Sequence, residues 1–408
     1  MRLPHDHLIG QRMKAPLMRS LNGIELLNLI AEHGPVSRAG LAKLSRLSKP
    51  TVSSQVETLV QQGWVVELGQ GESGAKGGKK PTMIRFNADA GRLFAVEIDS
   101  EEIRIAVADL EGKILDKQIR PTEGDRRADS ILDRVCRDLG ELIERERFTG
   151  AQKVISVASP GRVDVRRGIT IDAGNLFNWS QVAIRERLEV QFNIPVLVDN
   201  NVKMATLGEL YFGVAKGMTD AIVVRLDSGI GSGVVVRGRL IHGRHWAAGE
   251  IAHMNLDLAR VSEEWSVRGY LESMVAADRI LAEAPEGQAS AVEFMDLARQ
   301  SHDASRKLLD NVVLHVGAAI GNLICVYDPS IVVLQGELLA QVVAEVRDVV
   351  ARAVPWQTRI EVSKISADAV LLGTLSAARA LAYERIAKLF NGRERTAGVR
   401  GRPAAQFA

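Results

Sequence analysis

The chain has 408 residues, 52 Lys+Arg against 50 Asp+Glu, 46% hydrophobic residues and two cysteines. That length suggests two or three domains of about 100–200 residues each, and the composition excludes disordered, collagenous and cysteine-scaffolded classes. The net charge of +2 hides a split: residues 1–92 hold 13 Lys+Arg against 7 Asp+Glu, a balance of +6, which leaves −4 for the rest. A basic N-terminal segment on an acidic body points to a polyanionic partner for the first part alone.

The start, MRLPHDHLIGQRMK, lacks the apolar run of a signal peptide. The most apolar stretch, 312–326, contains His315 and Asn322 and is too short to span a bilayer. Both point to a cytoplasmic protein with no membrane partner. Cys136 and Cys325 fit no CxxC spacing and read as two buried thiols in a reducing compartment.

In chain order, a polar arm over 1–20 precedes a helical stripe of Leu26, Leu27, Leu29 and Ile30 that Gly34-Pro35 ends. Ser37 can cap a short second helix with Leu41, Ala42 and Leu44 inward. A tight turn, Ser45-Arg46-Leu47, leads to Ser48-Lys49-Pro50, which opens a third helix with Val52, Val56, Leu59 and Val60 inward. Helix, short helix, turn and a helix with polar residues at its start is the helix-turn-helix pattern, whose last helix enters the major groove of double-stranded DNA. Candidate DNA contacts are Arg38, Ser48, Lys49, Thr51, Ser53, Ser54, Gln55 and Thr58. Strands over 63–68 and 82–86 flank a Gly-rich loop and make a wing, on which Lys76, Lys79 and Lys80 suit phosphate contact. One such module buries little DNA, so a homodimer or dimer of dimers is expected.

From Gly91 onward the pattern becomes α/β. Strands are predicted at 93–98, 103–108, 113–119, 153–158, 196–199, 221–226 and 234–237, with helices at 128–147, 203–212, 266–282, 305–327 and 369–388. The last segment, 391–408, is rich in Arg, Gly and Ala and reads as disordered.

Over about 20–388 the sequence resembles the ROK family of bacterial sugar kinases and sugar-responsive repressors. The segments that carry the resemblance include SRAGLAKLSRLSKPTVSSQVETLVQQGWVVE, SPGRVD, NLFNW, VDNNVKMATLGE, LDSGIGSGVVVRGRLIHG, GEIAHM, GYLES and NLICVYDPSIVVLQGEL. The resemblance implies a winged helix-turn-helix followed by a two-lobed actin/sugar-kinase-like (ribonuclease H-like) ATPase fold. It sets the expected boundaries at 21–88 for the DNA-binding module, 89–205 for lobe 1 with the helix at about 370–388, 206–369 for lobe 2, and 389–408 for the tail.

The resemblance also implies that kinase chemistry is lost. The family's catalytic base is the Asp of an Asn-Asp pair, and the matching pair here is Asn200-Asn201; an amide cannot accept the hydroxyl proton. Asp199 could substitute only from a displaced position. The first phosphate loop reads Asp99-Ser100-Glu101-Glu102, with carboxylates where an anion would sit. The second, 227–233, keeps its glycines, which a tight turn between two strands explains without a nucleotide. ATP and Mg²⁺ are therefore not expected as cofactors.

Sugar-holding positions carried over from the family are Asn175, Asn200, Asn201, Glu250, His253 and Glu272. Carboxylates and amides that accept from vicinal hydroxyls are what a sugar site requires. The family's zinc cysteines are Glu263, Trp265 and Tyr270 here, so no thiolate zinc site can form. Aromatic packing by Trp265 and Tyr270 is expected to replace it. A substitute metal cluster of His242, His245, Glu250 and His253 is disfavoured because both His242 and His245 fall in a predicted exposed turn. The expected function is a non-enzymatic regulator of carbohydrate genes, a repressor, whose operator affinity responds to a sugar; the alternatives are a ligand-free DNA-binding scaffold regulated by a protein partner and an active sugar kinase that also binds DNA.

Overall fold

The computed structural model describes residues 15–70, 80–122, 127–148, 150, 152–173, 179–263, 265, 268–283, 290–300 and 304–390. Helix α1, Ala15–His33, stops where Gly34 takes φ +68. A two-residue strand, β1 (Val36–Ser37), follows, and Ser37 caps α2, Arg38–Ser45, by accepting from the Gly40 amide. Arg46, at φ 57, closes α2 in the left-handed region, and Ser48 caps α3, Lys49–Gln61, by accepting from the Thr51 amide. Both caps are the serines that capping chemistry selects. Strands β2 (Val65–Gln70) and β3 (Thr82–Phe86) complete the wing, in the sheet order β1-β3-β2.

Leu41, Val52, Val56 and Leu59 are fully buried in this module, and Val60 is partly buried. Leu44 corrects its expected inward placement: it is 45% exposed. The inward position one turn beyond Leu41 is Ser45, whose buried hydroxyl donates to the Leu41 carbonyl. Leu44 is thereby left on the solvent flank.

In lobe 1, β4 (Gly91–Ile98), β5 (Glu102–Ala108) and β6 (Ile114–Pro121) form an antiparallel meander that α4 (Ala128–Arg145) covers. β7 (Gln152–Ser159) returns parallel to β4. Then come a small sheet of β8 (Arg162–Asp164), β9 (Ile169–Asp172) and β10 (Ser180–Val182), helix α5 (Ile184–Phe192), strand β11 (Val196–Asn200) and helix α6 (Asn201–Tyr211). The main sheet runs β11-β7-β4-β5-β6.

Lobe 2 repeats the plan. β12 (Ala221–Leu226), β13 (Ile230–Val236) and β14 (Arg239–Leu240) form its meander. After a 3-10 turn at Ile251–His253 come α7 (Tyr270–Val275), α8 (Ala277–Glu283), α9 (Ala291–Gln300) and α10 (Ala304–Tyr327). β15 (Ile331–Gln335), α11 (Glu337–Gln341), α12 (Val343–Ala353) and β16 (Arg359–Val362) finish it, in the order β14-β13-β12-β15-β16. Numbered within each lobe, both sheets read 3-2-1-4-5 with three antiparallel strands and two parallel ones, the doubled ribonuclease H-like topology. The single helix expected over 266–282 is two, because Ala276 takes an extended conformation between α7 and α8.

Helix α10 is long and apolar enough to cross a membrane, yet 56% of its most apolar window is buried inside lobe 2. Cys325 lies on its solvent face and is exposed; only Cys136 is the buried thiol that the sequence suggested for both.

Finally α13, Ala369–Phe390, crosses back to pack on β4, β7 and α6. Its crossing with α6 is backbone on backbone. A Cβ on Gly373 would stand 1.7 Å from the Met204 carbonyl oxygen, and one on Gly208 would stand 2.1 Å from that of Ala369. Beyond the crossing, Leu375, Ala378, Ala382 and Ile386 share one continuous core with Leu26, Ile30, Val52 and Phe86 of the N-terminal module. The Phe86 and Tyr383 rings meet edge to face at 5.9 Å. The module is thus mounted on lobe 1 through α13. The polar arm expected over 1–20 is shorter, because α1 already begins at Ala15; residues 1–14 and the tail over 391–408, which reads as disordered in sequence, lie outside the described residues.

Candidate functional site

Two surfaces carry chemistry. On the N-terminal module, α3 presents Lys49, Ser53, Ser54 and Thr58 exposed, with Thr51 and Gln55 half-buried. Four of the candidates are already engaged within the module. Arg38 pairs with Glu67 on β2 at 2.7 Å. The Ser48 and Thr51 hydroxyls hydrogen-bond each other at 2.8 Å, as the cap geometry requires. Thr58 donates its hydroxyl to the Ser54 carbonyl. Lys80 is exposed, while Lys76 and Lys79 lie outside the described residues. Lys43 and Arg46, both exposed beside the start of α3, extend the basic face beyond the residues that the sequence singled out. A protruding helix with a basic, small-polar start suits a groove lined by phosphates.

The second surface is a cleft of about 550 Å³ between the lobes. Asn200, Asn201, Glu250, His253 and Glu272 all line it, so five of the six sugar positions converge. The sixth, Asn175, lies outside the described residues. The two asparagines sit where β11 becomes α6, and each has a defined task. Asn200 caps α6, its Oδ1 accepting from the Val202 and Lys203 amides while its Nδ2 donates to the Gly161 carbonyl. Asn201 donates Nδ2 to the Ile98 carbonyl at 3.0 Å, which leaves its buried Oδ1 without a partner. A carboxylate at position 201 could not make that donation.

Asp199 is not a free base. One carboxylate oxygen lies 2.7 Å from His242 Nε2, and the other accepts the Asn200 amide at 2.7 Å. His242 therefore does not stand in an exposed turn as expected; it ties lobe 2 to the end of β11, and His245 alone is exposed. Arg166, stacked on Trp246 at 5.7 Å, makes a second tie on the same side. Among the described residues no group of three or more His, Cys, Asp or Glu stands close enough to hold a metal.

The phosphate-loop expectations also change. At the first loop it is Asp99 that lines the cleft, whereas Glu102 turns away to pair with Arg104 and Glu101 is solvent-exposed. Glu97, buried just before this turn, is pushed up to about 7 by burial, which outweighs the pull of Arg104 at 3.9 Å. At the second loop only 227–229 forms the turn, because Gly231 and Gly233 already belong to β13. They are needed for close approach rather than for turning: a Cβ on Gly233 would stand 1.9 Å from Thr206 Oγ1 of α6.

Glu272 reaches into this loop, its Oε2 accepting the Ile230 amide at 3.1 Å. Burial pushes the Glu250 and Glu272 carboxyls up; Lys203, Arg162 and His253 oppose it at Glu250, and the Ile230 amide and Arg268 at Glu272. Lys203 is fully buried, its ammonium 4.0 Å from Glu250 and otherwise without a hydrogen-bond partner. Sequence reading missed Lys203, Arg162, Arg225 and Arg268. A lone lysine beside Met204 and Ala205, on what patterning makes a buried helix face, was the available signal for the first. The three arginines carry no spacing that marks them.

Around the former zinc segment, Trp265 and Tyr270 pack edge to face at 4.9 Å, and the Tyr270 hydroxyl meets His315 Nε2 at 2.8 Å. Arg260 stacks over Trp265 and pairs with Glu263. This donor set of two aromatics and a paired carboxylate does not fit a zinc ion.

Comparison with known proteins supplies the family context. The model of the ROK family matches residues 93–380, and that of the MarR family matches residues 24–74. The chain is 27% identical over 328 residues to a xylose repressor of Bacillus subtilis, covering 79% of this chain and 83% of the relative. It is 26% identical over 343 residues to an N-acetylglucosamine repressor of Escherichia coli O157:H7, covering 79% and 82%. A crystal structure of a ROK family transcriptional regulator, described as a homolog of the E. coli MLC protein, superposes with TM-score 0.73 at 19% identity, covering 91% of this chain and 98% of that one. A ROK family glucokinase from Streptomyces griseus, in complex with glucose and AMPPNP, superposes with TM-score 0.59 at 21% identity over 71% and 99%.

Proposed function

The chain belongs to the ROK family, and from that premise we propose that it is a DNA-binding transcriptional repressor whose affinity for a double-stranded operator is set by a sugar in the interlobe cleft. The observation that carries the reading is a continuous packing route between the two surfaces. The cleft is floored by the start of α6, α6 crosses α13 backbone on backbone, and α13 holds the winged module. A ligand that favours one lobe arrangement biases the module that reads DNA, as a coupling between sites requires. The relatives named for xylose and N-acetylglucosamine repression support carbohydrate genes as the targets.

The same geometry supports a body without kinase turnover. Position 201 offers an amide that is spent on Ile98, and Asp199 is held by His242, so neither position offers a free carboxylate to take a sugar hydroxyl proton. Glu272 seated on the Ile230 amide argues against a nucleotide phosphate in the glycine turn, and the Trp265, Tyr270 and Glu263 side chains argue against zinc. The protein acts as a homodimer or dimer of dimers in this reading, because two modules are needed for a specific site.

The test is operator titration of the full chain with and without xylose, glucose and N-acetylglucosamine. One of these sugars is expected to change operator affinity by about 5–150-fold, the usual range of allosteric coupling. Unchanged affinity with every sugar would sink the reading.

A further inference from the structure

The chain places its own acceptors against most of the donors with which the cleft could hold an external anion. Glu272 rests on the Ile230 amide, so a carboxylate from α7 already occupies the glycine turn. It sits so close that a Cβ on Gly229 would stand 2.6 Å from Glu272 Oε2. Asp172 grips Arg162 bidentately along one guanidinium edge, Nε to Oδ1 and Nη2 to Oδ2. Asp227 takes Arg225 Nε at 2.6 Å. Arg268 is held between Asp278 at 2.6 Å and Glu272 at 3.6 Å. The helix N-terminus facing the cleft is equally spent, since the Val202 and Lys203 amides belong to the Asn200 cap.

Apart from the buried Arg225 Nη1 and Lys203 Nζ, which have no hydrogen-bond partner, what remains for a ligand is acceptor character. Asp99, Asp172, Asp227, Glu250 and Glu272 line the cleft against three arginines, and the buried Lys203 behind Glu250 still leaves the carboxylates in excess. The unpartnered Oδ1 of Asn201 adds a neutral acceptor whose orientation is fixed by the donation to Ile98. Hydroxyl donors satisfy such a lining. A phosphate brings further acceptors and about −1.5 to −2 charges into it, and like charges at short range in a partly desolvated site repel strongly.

We infer that the cleft recognises an uncharged polyhydroxyl ligand and rejects its phosphate ester and nucleotides, because carboxylates outnumber the cations that line it, Glu272 occupies the glycine turn and the Asn200 cap takes the amides at the start of α6. The inference rests on the sugar-responsive reading and sharpens it: the effector is the free sugar, so the reaction class that ends the signal is phosphorylation of that sugar by another enzyme. Arg162 is the discriminating cation, and Asp172 is the residue that silences it.

Calorimetric titration of the full chain tests this with xylose, glucose and N-acetylglucosamine, the 6-phosphates of the last two, and Mg-ATP, each followed by operator titration. A neutral sugar is expected to bind, with its phosphate ester at least about 100-fold weaker. Asp172→Asn, which frees Arg162 and removes one carboxylate, is expected to narrow that ratio about tenfold or more, and Arg162→Met is expected to leave it wide. A phosphate ester that binds as tightly as its parent sugar and shifts operator affinity would overturn the inference while leaving the sugar-responsive reading intact. So would an unchanged ratio in a folded Asp172→Asn protein. Absence of binding by every compound would overturn both.

Discussion

Glu97 shows how a single buried side chain reports on the cleft. Its carboxyl is raised to about 7 because burial disfavours the charged form more than Arg104 and Arg225 restore it. A raised acid stabilises the fold most when protonated, so its contribution is fully present below the unfolded-chain value and is lost as pH climbs through about 7. The difference amounts to at most about 3 kcal/mol between pH 4.5 and 7.5. Urea midpoints are expected to fall across that window in the wild-type chain and to fall less steeply in Glu97→Gln, where the raised Glu250 and Glu272 carboxyls still contribute. Parallel slopes for the two proteins would show that Glu97 does not carry the dependence. The carry-over from family motifs identified Asn200, Asn201, Glu250, His253 and Glu272 as cleft residues because those positions lie inside recognisable segments. It could not show that Asn200 is spent on a cap or that Asp199 is clamped by His242, because those partners lie far away in sequence and meet only through the packing of lobe 2 on β11.

At the scale of elements, local chemistry fixed boundaries and tertiary packing fixed roles. Ser37 and Ser48 start their helices where capping chemistry places them, and strand 221–226 is found with the ends that its apolar run gives. Leu44 was misread because a helix of eight residues supports more than one inward stripe, and the one chosen is set by the neighbours of Ser45. The glycines at 231 and 233 looked like turn residues, yet they serve the approach of α6, which only the assembled lobes reveal. The most consequential element, α13, reads in sequence only as a helix over 369–388, although it crosses α6 at Gly373 and grips the module at Phe86. Its edge-to-face contact through Tyr383 is worth about 0.5–1.5 kcal/mol. Tyr383→Leu is therefore expected to leave sugar affinity and sugar-free operator affinity within about threefold, while the effect of sugar on operator affinity falls to less than about half of its wild-type value in kcal/mol. Gel-shift titrations with and without sugar measure it. A wild-type sugar effect in the variant would remove α13 from the route.

For the whole molecule, the charge split has a physical counterpart in the mounting of the module. A balance of +6 in residues 1–92 sits on a body of −4, so attraction to phosphates is confined to one end and the rest is repelled from the duplex. Each phosphate contact changes the dependence of binding on salt by about 0.9 in log–log slope. Lys49→Ala is expected to flatten the slope by about 2 if two modules dock together and by about 1 if one does. Fluorescence anisotropy on one operator fragment at 50–300 mM salt, a range over which such slopes are resolved, distinguishes the two cases. An unchanged slope would place Lys49 off the phosphates.

The core shared by the winged module and α13 also bears on how proteins of this plan exchange parts. Recombination at the boundary after Phe86, the natural seam in sequence, would hand the body a foreign reading head and strip the cover from Leu375, Ala378, Ala382 and Ile386. A graft survives only when the socket is inherited with the plug, and the socket is encoded at the opposite end of the same chain. New operator specificities are therefore reached more readily by changing exposed positions of α3, such as Ser53 and Ser54, than by shuffling whole modules.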